Sequence, residues 1–251
     1  VLQTAEALQL AEKSQLKAQI SATSAGLNTV SSTSAGRLFD AVSAVLGICR
    51  ASTFEGEASC ALEFAARKWA GKGFYDPESA SEERTGEISD STDSAEKEPS
   101  GEISCSAESA AEERTGKDLP ECRILPDEQL IRSASSEEGE TENILILSTD
   151  LLFNEIVRRR MQKEDVHFLA YAFHACLSDM ICAALLAASA QTGIRTAALS
   201  CGVFQNRLLL TLTVRKLKEN GMEVLTHSLI PPNDGGIALG QALYAMQKIS
   251  I

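Results

Sequence analysis

Residues 196–241 read TAALSCGVFQNRLLLTLTVRKLKENGMEVLTHSLIPPNDGGIALGQ, and the punctuation of this stretch decides the fold. The apolar run Ala197-Ala198-Leu199-Ser200 has the pattern of a buried strand in a parallel sheet. It breaks at Cys201-Gly202. A helix is expected from about Asn206 to Asn220, with Gly221 as its stop. A second short strand is expected over 223–226. The loop Ile230-Pro231-Pro232-Asn233-Asp234-Gly235-Gly236 follows, and a last helix begins near Ile237. Strand, glycine turn, helix, strand, glycine loop and helix make an α/β unit. In open sheets of this kind, ligands sit beyond the carboxyl ends of the strands, where both loops lie.

Moving upstream, the spacing predicts a helix over residues 166–191, with Leu169, Phe173, Cys176, Leu177, Met180, Ile181 and Ala184 as a wide apolar face and Gly193 as its end. A helix over 149–162 and a strand over 143–147 precede it. Nearer the start, helices are expected over 2–20, from about Ser34 to Gly47, and from Ala58 to Trp69. The segment between these two halves differs in kind. Between Asp76 and Glu142 lie 21 of the 35 acidic residues and only 6 of the 23 basic ones, so the net charge of −12 belongs to this segment. ESASEERTG at 78–86 recurs as ESAAEERTG at 108–116, and GEIS occurs at 86–89 and 101–104. Such composition buries too little apolar surface to offset chain entropy, and disorder is expected. The expected organisation is a helical first part over 1–75, an acidic low-complexity insertion over 76–143, and an α/β nucleotide- and metal-binding part of the same lobe over 144–251.

The totals narrow the function classes. No basic stripe large enough for nucleic acid appears. No unbroken apolar run reaches the ~20 residues of a membrane span, and no secretory signal is visible. Seven cysteines, an odd number without a CxxC pair, favour a reducing, cytoplasmic setting over a disulfide framework. The chain opens on Val1 rather than Met, as expected of a piece of something longer.

Several residues have both a chemical and a structural reading. At Ser200-Cys201-Gly202, the absence of a Cβ on Gly202 would let a phosphate approach the backbone, and a helix start favours an anion. The plainer reading is a tight strand–helix turn. Asn206 caps the helix or reaches a ligand hydroxyl. Asp234 is an N-cap or an oxygen ligand for a metal ion. Gly235-Gly236 suggests backbone that passes close to something. Asp40 reaches a ligand hydroxyl or pairs with Arg37. His174, in the apolar run, reads as a structural histidine; His167 and His227 are scattered. Cys201 has no neighbouring base in the sequence to make it a nucleophile.

Five pieces together resemble a known family: SAGRLFDAVSAVLG (34–47), FEGEASCALE (54–63), Phe173-His174, ALSCGVFQNRLLL (198–210) and PPNDGGIALGQA (231–242). In order and spacing they are similar to the C-terminal part of the hydrogenase-maturation carbamoyltransferases, HypF. The resemblance implies an actin/Hsp70-like (ASKHA) nucleotide-binding lobe with added helices, shared with TsaD-type tRNA threonylcarbamoyladenosine synthases. It implies that Ser200, Cys201 and Gly202 cradle nucleotide phosphate and that Asn206 contacts an adenylate. Asp40, Gly56 and Glu57 would contact the nucleoside, and Asp234 would bind a divalent metal, iron or zinc. It further implies formation of carbamoyl-adenylate from carbamoyl phosphate and ATP, and carbamoyl transfer to the C-terminal cysteine of a HypE partner. Two departures stand out. The family has Ser-Gly-Gly where this chain has Ser200-Cys201-Gly202, and the family's HxxxH-type metal motif is absent. The chain is therefore expected to be incomplete without an N-terminal portion. A non-catalytic remnant or binding module with the same fold is the alternative, and a TsaD-like role ranks third. Gly202, Asn206 and Asp234 are expected to line one cleft.

Overall fold

The computed structural model describes residues 1–70, 122–134 and 144–249. The chain divides into two compact units, Val1–Trp69 with Glu121–Ile251, and Ala70–Pro120; apart from Ala70, the described residues all belong to the first. That unit is mostly helical. In chain order it holds α1 (Leu2–Ala7), α2 (Lys13–Ser24), α3 (Ala35–Leu46), α4 (Glu57–Ala70), β1 (Ile131–Ala134), β2 (Ile144–Leu147), α5 (Thr149–Met161), α6 (Val166–Thr192), β3 (Thr196–Ala198), α7 (Arg207–Glu219), β4 (Glu223–Leu225) and α8 (Ile237–Ile249).

The centre of the core is α6. Its side chains from Leu169 to Ser178 are buried, together with Met180 and Cys182. A helix apolar on every side must be covered on every side, and here α3, α5 and α7 do the covering. Asp165 opens it, accepting a bond from Phe168 N at 2.8 Å, and Gly193 closes it with a left-handed backbone, φ 73°. By length and composition alone α6, at 27 residues, is long and apolar enough to cross a membrane. The expectation that no unbroken apolar run nears ~20 residues holds, since Ser178 and Asp179 interrupt the run without ending the helix. The burial of 67% of its most apolar window inside the unit marks it as a core helix. From α3, Phe39 sets its ring edge-on to Phe173, with centroids 5.0 Å apart. Each such fully buried side chain contributes about 1.5–3 kcal/mol.

The sheets are small. β1 and β2 pair antiparallel, Ile131 facing Leu147 and Ala134 facing Ile144. β3 and β4 pair parallel, with α7 as their crossover. Behind that parallel pair Cys182, Ala197, Leu199, Leu217 and Met222 form one buried cluster. An α/β lobe was expected; among the described residues the strands are few, and helices supply most of the core.

Two boundaries differ from the sequence reading. The expected first helix is two, because the chain turns at Leu8–Gln9, where Gln9 takes φ 53° and the Leu8 carbonyl accepts a 2.7 Å bond from Arg50. The acidic insertion was expected to run to 143. Residues 122–134 lie inside that span, yet Cys122, Ile124, Leu125 and Leu130 are buried and β1 is paired. These four side chains are apolar, and burying them against the core stabilises the order of this stretch. The duplicated motifs and the rest of the expected insertion lie outside the described residues.

Candidate functional site

The carboxyl ends of β3 and β4 are set side by side by their register. Ala198 faces Leu225, and Leu199 N donates to Leu225 O at 2.9 Å, extending the pairing by one bond. Ser200 and His227 emerge next, one from each strand. Their side chains meet, Ser200 Oγ lying 2.9 Å from His227 Nε2, and both residues are exposed. No local pattern foretells this contact. The partners are 27 residues apart, and only parallel pairing in this register brings them together.

The turn after Ser200 carries strain. Cys201 adopts φ 87°, ψ 155°, a region that is nearly exclusive to glycine because a Cβ there meets the backbone. The departure from Ser-Gly-Gly noted in the sequence thus carries its cost in the backbone, at the position where the resembling family has glycine. Gly202 opens a single 3-10 turn, Gly202–Gln205, closed at its start by Phe204 N donating to Cys201 O at 3.1 Å. A Cβ on Gly202 would meet nothing nearer than Gln205 Oε1 at 4.0 Å. The protein itself does not require glycine there, and the space above that backbone is open.

Asn206 faces inward. Its Oδ1 accepts from Leu209 N at 2.9 Å, capping α7, and its Nδ2 lies 2.9 Å from His174 Nε2. His174 Nδ1 sits 2.7 Å from the Ala170 carbonyl, which can only accept. Nδ1 therefore carries the hydrogen, and Nε2 is the acceptor for Asn206. Complete burial lowers the His174 pKa to about 4, outweighing the raising effect of the Ala170 bond, so the ring is neutral near pH 7. A second group is already at the start of α7: the Glu63 carboxylate accepts from Leu208 N at 3.1 Å and pairs with Arg67. The anion expected at this helix start is thus a side chain of α4. Of the expected phosphate-binding features, the Ser200–Gly202 turn remains available to a ligand.

The other candidates are engaged locally. Asp40 pairs with Arg37 at 3.0 Å. Glu57 accepts from the backbone N and, at 3.0 Å, the hydroxyl of Thr53; the backbone bond first, then the hydroxyl, lower its pKa. Gly56 takes φ 82°, and glycine fits that turn without strain. Asp234 is exposed, and Asn233 rather than Asp234 caps the loop, accepting from Gly235 N at 3.0 Å. The close approach expected at Gly235-Gly236 is to the loop itself: a Cβ on Gly236 would lie 3.0 Å from the Pro231 carbonyl. Asn206 turns its polar atoms into the core, whereas Asp234 meets solvent. Among the described residues no three His, Cys, Asp or Glu side chains gather as metal ligands. Asp234 alone does not make a metal site.

The described α8 is exposed along its length. Ile237, Leu239, Leu243, Tyr244 and Met246 all meet solvent.

Comparison with known proteins gives consistent matches. Residues 2–98 and 100–241 match the family described as carbamoyltransferase, Kae1-like domain, second subdomain. Carbamoyltransferase HypF2 of Cupriavidus necator is 31% identical over 222 residues, 88% of this chain and 23% of that protein. Carbamoyltransferase HypF of Rhodobacter capsulatus is 29% identical over 225 residues, 89% of this chain and 21% of that protein. The chain therefore spans under a quarter of the length of these relatives. A crystal structure of full-length HypF in its phosphate- and nucleotide-bound form superposes with a TM-score of 0.67 at 22% identity, covering 98% of this chain and 24% of that one. HypF of T. kodakarensis gives 0.59 at 19% identity, covering 95% and 23%. These two likenesses establish the Kae1-like fold.

Proposed function

This chain belongs to the carbamoyltransferase Kae1-like domain family, second subdomain, and we propose that it is the lobe of a HypF-type carbamoyltransferase that holds an adenylate at the ends of β3 and β4. The observation that carries this reading is the exposed Ser200–Gly202 turn, with an open backbone face at Gly202 and a hydroxyl held at 2.9 Å by His227. The HypF with structural likeness to this chain was crystallised with phosphate and nucleotide bound, which supports a nucleotide here. The reaction would be carbamoyl transfer from carbamoyl-adenylate to the C-terminal cysteine of a HypE-like acceptor. The thiolate sulfur bonds to the carbamoyl carbon, the carbon–oxygen bond to phosphate breaks, and AMP leaves with the electron pair. In that reaction this chain's turn would bind the phosphate through Ser200 and backbone N–H groups, stabilising its charge. No step is assigned to a metal, because the described residues do not form a site for one; Asp234 would need ligands from elsewhere.

A further portion of the same enzyme would cover α8, whose apolar side chains otherwise stand in water. The free thiols of the six described cysteines suit a reducing, cytoplasmic setting. One observation favours a second reading, a binding module that has lost the chemistry: the strained Cys201 backbone where the family has glycine.

Calorimetric titration of the purified chain with AMP and ATP tests the proposal. Saturable 1:1 binding, weakened by Ser200→Ala, is expected. Absence of binding both to the chain alone and after addition of the remaining portion of a HypF relative overturns it. Binding without carbamoyl transfer in that reconstitution selects the second reading.

A further inference from the structure

We propose that His227 is a ligand-binding residue of this site: its Nε2–H donates to Ser200 Oγ, which turns the serine hydroxyl hydrogen toward a phosphoryl oxygen of an adenylate. This rests on the adenylate reading above and adds a residue to it.

The argument begins with what the pair is not. Both side chains are exposed, and a hydrogen bond between exposed groups competes with water and adds little to stability. The register of β3 and β4 already holds the two residues at the strand ends without it. The pair is therefore a poor structural device. It does lie where an α/β unit presents ligands, next to a backbone open at Gly202.

The chemistry follows from proton counting. A serine hydroxyl has one hydrogen and two lone pairs. If His227 Nε2 carries no hydrogen, Ser200 must donate to it, and the hydroxyl then shows a facing anion only lone pairs. If Nε2 carries the hydrogen, Ser200 accepts, and its own hydrogen is free for a phosphoryl oxygen. A bound phosphate thus selects the second arrangement. Donor and anion are then linked in one chain, phosphate to serine to imidazole, in which each bond polarises the next. The contact therefore assigns His227, a residue that carries no recognisable motif, to the phosphate end of the ligand.

The experiment is AMP titration of the full chain as wild type, Ser200→Ala, His227→Ala, the double variant and His227→Gln, with inorganic phosphate as competitor. His227→Ala is expected to weaken AMP binding about tenfold. Ser200→Ala should do the same, and the double variant should be no weaker than the poorer single one, because either change breaks the same chain. His227→Gln, whose amide N–H can donate to the hydroxyl, should recover part of the loss. Circular dichroism and thermal melting should be unchanged in all variants, since both side chains are exposed. Wild-type AMP binding unaltered by His227→Ala refutes the role of His227 and leaves the adenylate reading standing. Fully additive losses refute the coupling. A wild-type chain that binds neither AMP nor phosphate, alone or with the remaining portion of a HypF relative added, refutes both.

Discussion

Cys201→Gly should stabilise the protein, although it removes a side chain. Cys201 is held at φ 87°, ψ 155°, where a residue with a Cβ carries strain of about 1–3 kcal/mol. Glycine relieves it. Against that stands the greater freedom of glycine in the unfolded chain, which costs about 0.5–1 kcal/mol. The Cys201 side chain is exposed, so its loss forfeits little packing. The balance is a gain of about 1 kcal/mol, or about 2–4 °C in Tm for a chain of this size. Differential scanning fluorimetry of wild type, Cys201→Gly and Cys201→Ala decides it. Alanine retains the Cβ and should leave Tm unchanged. The reasoning fails if Cys201→Gly melts at or below the wild-type temperature, or if alanine gains as much as glycine. Under the adenylate reading, the glycine variant should bind AMP at least as tightly as wild type.

Other consequences follow from the buried network behind the turn. His174 is neutral in the fold with its pKa lowered to about 4 by burial, and it regains an ordinary value near 6.5 when unfolded. The unfolded chain therefore binds more protons between those values. Stability is full above about pH 6.5 and falls by about 3 kcal/mol as pH drops toward 4. Urea denaturation at pH 7.5 and pH 5 should show this fall, and His174→Gln should flatten it. Asn206→Ala removes both the α7 cap and the donor to His174. It should cost about 2–4 kcal/mol by chemical denaturation, from a lost cap of about 1 kcal/mol and an unpaired buried acceptor of about 1–3 kcal/mol. Asn206→Asp keeps the cap and loses the donor, so its loss should shrink as pH falls and His174 becomes protonated. Leu243→Glu, on the exposed α8, should leave the stability of the chain unchanged in thermal melting; a drop in Tm would show that α8 packs against the unit in solution.

Much of the architecture was readable from short-range pattern. The α6 core helix, its end at Gly193, the α7 crossover with its stop at Gly221, and both strands of the parallel pair follow from apolar spacing, caps and glycine positions. The same holds for Gly47 after α3, which takes φ 76°. The split of the first helix was not readable, because it depends on the Leu8 carbonyl meeting Arg50 forty-two residues later. Nor was the order of residues 122–134: four apolar side chains in an acidic tract become core only when a pre-existing core accepts them.

The sequence by itself determined where α3, α6 and α7 stop, that the Ser200–Gly202 turn ends a strand, and which family the motifs resemble. Those features depend on residues within a turn or two of each other. The tertiary structure alone decided what the polar side chains do. It gave Asn206 to His174, placed Glu63 where an external anion was expected, left Asp234 in solvent, and set His227 against Ser200. Each of these pairings joins residues 27 to 145 positions apart. Their meeting depends on strand register and helix packing, quantities summed over the whole core and carried by no local pattern.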